Sequence, residues 1–502
     1  MACLMCGTAS MFYPLAFAEM DFMCSNATSI KNQCFYIMKN NSTVACSQFD
    51  YFSGDFESTA RKDFNLICGR EMFADMDLSL MLSAQCISAI FGNFLMDAFG
   101  RKPVFILSCW LAALSSLGYL FAPTIQILLL LRFIECFALM LLLFSGILMM
   151  LENHQVQYSF YVTNSKSYLY GIGYSLCAVV SFFFRDWRSY VTIRLVIPSF
   201  IAAVLSLFLV DESLRWLLQK RKFTEFDLVV CKMFTSNNIE IPSSFVQEIN
   251  ILKKQAALGN DYTSIFDQIS SKVSTLKFWE LYSTGKTSIW MGALALSWIG
   301  CVVVYFGMQF GRELFGGVQI HIYFMISGVA DIPGSLFQLY VAKNWGRKPA
   351  NVVSFVFCAL SLLISPFIPR NGYWIILLYI TAFSTKVFIT SAFTNIYMWN
   401  AEILPTNFRG VGIGLGSLCG RIVGIPLPYV KQLSKMWAPL PAFMFALIAI
   451  AAAVTSLVVP ETRNQISPDD IEEFQVFGTN EYIVLKNKRL EVLRKNAKIL
   501  IK

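Results

Sequence analysis

The sequence predicts an all-α polytopic membrane protein whose twelve transmembrane helices form two pseudo-symmetric halves of six. Three observations carry that expectation. The 502-residue chain is 56% hydrophobic and only 14% charged, whereas soluble domains carry about 25% charge. A soluble chain of this length divides into domains joined by polar linkers. This one instead repeats apolar runs of about 20 residues, the length of helix that crosses a bilayer. Finally, Gly100-Arg-Lys-Pro103 after the second run returns as Gly346-Arg-Lys-Pro349 after the eighth, the mark of two parallel halves related by an axis along the membrane normal.

In chain order the runs lie at 1–20, 78–97, 103–121, 125–151, 167–184, 191–210, 287–308, 319–341, 350–368, 373–397, 410–432 and 436–459. No Lys or Arg precedes Lys31, so residues 1–20 lack the basic region of a signal peptide and read as the first span. The segment 21–77 carries sequons at Asn26, Asn40 and Asn41, and glycosylation requires an extracellular or lumenal face. It also holds Cys24, Cys34, Cys46 and Cys68; an even count in an oxidising compartment predicts two disulfides in one of three connectivities. The remaining ten cysteines lie mostly in apolar runs and read as small hydrophobes.

Arg101, Lys102, Lys343, Arg347, Lys348, the long 211–285 stretch and the basic tail fall on the opposite face. The positive-inside rule makes that face cytoplasmic, in agreement with the sequons. The expected organisation is an N-terminal half at 1–210 including the extracellular loop 21–77, a cytoplasmic connector at 211–285, a C-terminal half at 286–460 and a cytoplasmic tail at 461–502. The formal charge of +8 falls in short clusters between apolar blocks, so the expected anionic partner is the lipid bilayer and not nucleic acid.

Several motifs then converge. Asp97-Ala-Phe-Gly-Arg-Lys102 resembles D-R-x-G-R-K, and Asp211-Glu-Ser-Leu-Arg-Trp-Leu217, preceded by Trp187-Arg188, resembles P-E-S-P-R-W-L. Ala401-Glu-Ile-Leu-Pro-Thr406 with Arg409 resembles A-E-L-Y-P-T-x-x-R, and Pro460-Glu-Thr-Arg463 matches P-E-T-K/R. At these residues the chain resembles the major facilitator superfamily, specifically its organic ion transporters (solute carrier 22-like), which include cation, anion and carnitine carriers. The match runs nearly end to end. Departures lie in the fourth span, where Cys136, Ala138 and Met140 stand at the usual glycines, and in the loop motifs, where Asn93, Ala98 and Lys343 are atypical. The family's cytoplasmic segment before the first span is missing, which suggests an incomplete or divergent gene product.

The resemblance implies the major facilitator fold and a multi-pass plasma-membrane glycoprotein that moves small organic ions by alternating access. It places Arg421 where cation carriers have Asp and anion or carnitine carriers have Arg, which implies a carboxylate- or sulfate-bearing substrate; the alternative is a helix-packing Arg paired with a carboxylate. A guanidinium grips such a group bidentately. Lys386 matches a family Lys or Arg and either faces substrate or pairs with Asp331. Tyr305, Phe306 and Tyr429 are the expected aromatic walls of an amphipathic site. Asp97, Gly100, Arg101, Glu152, Glu212 with Arg215, and Glu402 with Arg409 are the expected cytoplasmic gate; their alternative is simple solvation at the membrane edge. Arg132 and Glu135, three apart on one helix face, are expected to pair, with Glu135 as a proton site in the competing reading.

His154 and His321 are isolated, and no Cys-x-x-Cys, His-Glu-x-x-His or phosphate-loop motif occurs, so neither a cofactor, a bound metal, ATP-driven pumping nor enzymatic activity is expected. The glycines alternating through Gly410–Gly416 lie in an apolar span and suit helix packing. The expected partners are a small organic ion and a coupling ion or exchanged solute, with anions or zwitterions favoured over cations. The competing reading is a non-transporting receptor or scaffold on a degenerate transporter fold.

Overall fold

A computed structural model describes residues 2–24, 30–32, 34–37, 43–46, 48–52, 54–153, 156–239, 281–310, 314–315, 318–405 and 409–463, with shorter stretches in 242–253 and 465–484. Twelve helical spans appear among them. The first, α1, comprises Ala2–Ser10 and Phe12–Ala16; then come α2 (Glu71–Phe99), α3 (Arg101–Gly118), α4 (Ile125–Asn153), α5 (Val156–Phe183) and α6 (Trp187–Leu209). The second set is α7 (Gly285–Gly307), α8 (Ile320–Asn344), α9 (Arg347–Ile364), α10 (Trp374–Ile403), α11 (Arg409–Gly424) and α12 (Leu440–Ser456). Eight of them, α2–α4 and α6–α10, are long and apolar enough to cross a bilayer by length and composition.

Large apolar side chains lie on the outside: Phe121, Phe183, Phe208, Leu209, Phe367 and Leu447 are all exposed. In water this would be an aggregating surface; in lipid it carries no penalty, and the backbone groups beneath it are satisfied within each helix.

Four spans differ most from their hydropathy runs. α5 begins at Val156, eleven residues ahead of the expected 167. α1 breaks at Met11 and ends at Ala16, short of residue 20. α2 begins at Glu71, inside the segment expected as loop, because its polar first turns find partners. Asp75 accepts from Tyr13 and Arg61, and Asp77 from Arg132. α11 ends at Gly424, ahead of Pro426, which has no N–H to continue the ladder, and the chain passes into the tight turn Leu427–Tyr429.

The two Gly-Arg-Lys-Pro turns fold alike. Gly100 has φ +103° and Gly346 φ +115°, the positive region open to glycine, and each lets one helix stop and the next start without a loop. The following N-termini are capped from a distance. Glu212 accepts from the backbone N–H of Arg101 and Lys102 at 2.9 and 3.2 Å, and Glu461 from those of Arg347 and Lys348 at 2.9 and 3.0 Å. A carboxylate there meets both the orphan donors and the positive end of the helix dipole.

Between α1 and α2, strand β1 (Phe22–Cys24) pairs antiparallel with the fifth strand, Phe49–Tyr51, while β2 (Ile30–Asn32), β3 (Phe35–Ile37) and β4 (Thr43–Ala45) form a small sheet. Of the three possible connectivities the structure has Cys24–Cys46 and Cys34–Cys68. Asn26, Asn40 and Asn41 lie outside the described residues.

Candidate functional site

In the second half, α7, α8 and α10 converge on Lys386. The Lys386 ammonium is fully buried, 3.8 Å from Asp331 Oδ1, 3.2 Å from the centroid of the Tyr305 ring and 4.8 Å from that of Tyr174. It has no hydrogen-bond partner among the described residues. Asp331 is held by other groups, accepting from Tyr305 Oη at 3.0 Å and from Thr390 Oγ1 at 2.5 Å. The carboxylate therefore has a fixed orientation while the ammonium beside it is free to accept a further partner. Phe306 meets Tyr305 edge-on at 5.6 Å, and Phe393 stacks on it at 5.4 Å. Tyr429 stands apart from this cluster, more than half exposed on the turn after α11.

Arg421 on α11 is buried against the opposite half. Its Nε donates to Gln85 Oε1 on α2 at 3.1 Å, one terminal nitrogen to the Ser417 carbonyl and hydroxyl, and the other lies 3.8 Å from Met140 Sδ on α4. All of these partners are neutral, and no carboxylate lies within ion-pair distance of it among the described residues. The packing alternative required such a carboxylate.

The first half has its own buried charges. Arg132 on α4 bonds Asp77 at 3.0 Å, Glu135 at 2.6 Å and the Ala9 carbonyl at 2.8 Å, while Tyr119 donates to Glu135. This stitches α1, α2, the end of α3 and α4 together, and Glu135 stands within it as a structural partner. Arg194 on α6 donates to the Thr8 carbonyl and lies over Tyr190 and Phe12. Sequence reading passed over Asp77, Gln85, Lys166 and Arg194. Lys166 and Arg194 each had a legible signal, being the lone charges in the runs 156–183 and 191–210.

At the Gly-Arg-Lys-Pro end of the bundle, Arg101 bonds Glu152 at 3.1 Å and pairs with Asp97 at 3.2 Å. The second half repeats this with Arg347 bonding Glu402 at 2.8 Å, and Thr462 bonding the other Glu402 oxygen at 2.5 Å. Glu212 does not act through Arg215, which is exposed; its oxygens are taken by backbone N–H groups. Glu402 takes Arg347 as its partner, and the Arg409 side chain lies outside the described residues.

These networks stay within a half. Hydrogen bonds join the halves deep in the bundle, Arg421 to Gln85 at 3.1 Å and Ser167 with Thr394 at 3.2 Å, and at the end away from the Gly-Arg-Lys-Pro turns, Gln309 to the Ser10 carbonyl at 3.2 Å, Ser79 to the Ile425 carbonyl at 2.6 Å and Ser181 with His321 at 2.9 Å. Tyr13 and Phe310 pack at 5.8 Å on the same side.

Residues 74–428 match the model of the Major Facilitator Superfamily. The chain is 29% identical to the "Organic cation transporter protein" of Drosophila melanogaster over 88% of its own length and 78% of that protein. It is 24% identical to "Solute carrier family 22 member 6" of Mus musculus over 85% and 75%. The inward-open xylose transporter XylE from E. coli shares the fold with a TM-score of 0.63 at 13% identity, covering 95% of this chain and 97% of that one. The chain thus belongs to the Major Facilitator Superfamily, a membrane transporter whose similarity within it runs to the organic ion carriers of solute carrier family 22.

Proposed function

We propose that this protein is a plasma-membrane carrier that moves small organic ions by alternating access, taking anions or zwitterions in preference to cations. The observation that carries the charge preference is Arg421, buried between the halves with only neutral partners. A charge inside the bilayer costs about 3 kcal/mol or more, and four neutral contacts leave the guanidinium without the carboxylate or sulfate that its geometry suits. Lys386 supports the same reading, its ammonium resting on two rings and 3.8 Å from a carboxylate already held by Tyr305 and Thr390. Tyr305, Phe306 and Phe393 supply the apolar wall for an organic body.

In this mechanism a solute's anionic group enters between α11 and α10 while its apolar part lies on Tyr305. The halves then rock about it, exposing it to one face at a time. The Arg101–Glu152 and Arg347–Glu402 networks are the parts that meet when the cytoplasmic side closes, with Asp97, Gly100, Glu212 and Glu461 holding their helix ends in place.

The test is uptake of a labelled panel of organic anions, cations and carnitine-like zwitterions by cells displaying the protein, with Arg421→Asp and a Tyr305→Ala, Arg421→Ala double variant beside it. Saturable anion or zwitterion uptake, lost in the double variant and shifted toward cations in Arg421→Asp, is the expected result. Unchanged selectivity in Arg421→Asp would remove that residue from the site.

A further inference from the structure

Lys166 is the one charged residue of α5. It lies ten residues past Val156, which at 1.5 Å per residue puts it about 15 Å from the cytoplasmic end of the helix, near the middle of the bilayer. Its ammonium is 3.6 Å from the centroid of the Tyr397 ring on α10 of the other half. One residue on, the Ser167 hydroxyl meets Thr394 at 3.2 Å, so α5 and α10 touch across the halves at this level.

The buried cations divide into two groups. Arg132 has two carboxylates and Lys386 has one, while Arg194 and Arg421 have only neutral partners among the described residues. Lys166 has no carboxylate within ion-pair distance among the described residues, and a ring face recovers only part of the cost of an ammonium away from water. It is only partly buried, and a lysine on α5 inclines toward the helix N-terminus, the cytoplasmic end.

Tyr397 is also the end of a run of rings. It meets Phe393 at 5.6 Å, Phe393 stacks on Tyr305 at 5.4 Å, and Lys386 rests on Tyr305 at 3.2 Å. An ammonium thus stands at each end of a continuous aromatic wall. The two differ in what accompanies them, since Lys386 has Asp331 beside it and Lys166 has only the ring. They also differ in depth along α10. Lys386 is 17 residues from Ile403 and Tyr397 only six, about 25 Å and 9 Å from the cytoplasmic end.

We propose that Lys166 binds the anionic group of the solute from the first half, at a station on the cytoplasmic side of Lys386, with an aryl or other flat apolar body lying along Phe393 and Tyr397. This rests on the organic-anion reading above. The Tyr397 ring and the solute's carboxylate or sulfonate compete for one ammonium: the ring holds it when the site is empty, and the anion takes it when loaded. Because Lys166 and Tyr397 belong to different halves, that exchange couples release of the solute to the contact between α5 and α10.

The test uses the full chain in detergent or proteoliposomes, with 2-naphthoate as the anionic aryl probe and 2-naphthamide as its neutral counterpart. Lys166→Gln is expected to weaken 2-naphthoate binding about tenfold, the loss of one charge-assisted contact, with 2-naphthamide unchanged and Lys166→Arg restoring most of the loss. In cells, Lys166→Gln raises the KM for efflux of the probe more than the KM for its uptake. Equal binding of 2-naphthoate by Lys166→Gln and the parent protein overturns the proposal, and equal shifts of the two KM values overturn the cytoplasmic placement. If Arg421→Ala loses 2-naphthoate while Lys166→Gln keeps it, the Lys166 assignment alone falls. If the parent protein does not distinguish 2-naphthoate from 2-naphthamide, the anion reading falls with it. Tyr397→Leu provides a second variant that leaves the lysine in place; it is expected to tighten 2-naphthoate binding by freeing the ammonium, and weaker binding overturns the competition.

Discussion

Asp331 shows how much one residue's partners decide. Its carboxylate serves Tyr305, Thr390 and Lys386 at once, and it is buried. Removing one member of a buried ion pair leaves the other charge uncompensated, at a cost of about 3–5 kcal/mol, whereas replacing both by apolar groups of similar size is close to neutral. Asp331→Asn is therefore expected to lower the melting temperature of the purified protein more than the Asp331→Leu, Lys386→Met pair does. A double variant less stable than the single one would mean that the pair itself holds the fold.

At the scale of the element, the repeated turns are the clearest case. Glu212 and Glu461, just past the last span of each half, cap α3 and α9 from positions more than a hundred residues away. Loss of a cap costs about 1 kcal/mol. Glu212→Gln and Glu461→Gln are each expected to destabilise the protein by about that amount. Their effects should add within about 0.5 kcal/mol, because the two networks share no partner in this state. Strong non-additivity in a melting experiment would show that the networks are joined. The extracellular element gives a separate check. Glycosidase is expected to raise gel mobility, and the Asn26→Gln, Asn40→Gln, Asn41→Gln triple variant to abolish that shift. Absence of any shift in the parent protein would undermine the outward placement of 21–77.

At the scale of the whole molecule, contacts between α5 and α8, α2 and the end of α11, and α1 and the end of α7 form a seam between the halves at the end away from the Gly-Arg-Lys-Pro turns. Ser181 and His321 touch across that seam at 2.9 Å, with Phe56 of the extracellular segment 5.0 Å from the same ring. A Ser181→Cys, His321→Cys pair is expected to cross-link on oxidation, to halt uptake, and to recover on reduction. Continued uptake with the cross-link formed would show that the seam does not open during transport.

The sequence by itself determined the number of spans and the two-half repeat. Lipid imposes these directly, because every residue of a spanning helix contributes to its transfer free energy. It also marked Lys386, Asp331 and Arg421, because a charge in an apolar run is conspicuous. What it could not say was which group each charge meets. Arg421 finds Gln85 from 336 positions away, Glu212 turns to backbone rather than to Arg215, Cys24 takes Cys46, and Tyr429 is more than half exposed. Only the tertiary structure decided these, since they depend on the depth and rotation of one helix against another. A shift of one residue turns a helical side chain by about 100° and changes its neighbours, while the hydropathy of the run stays the same.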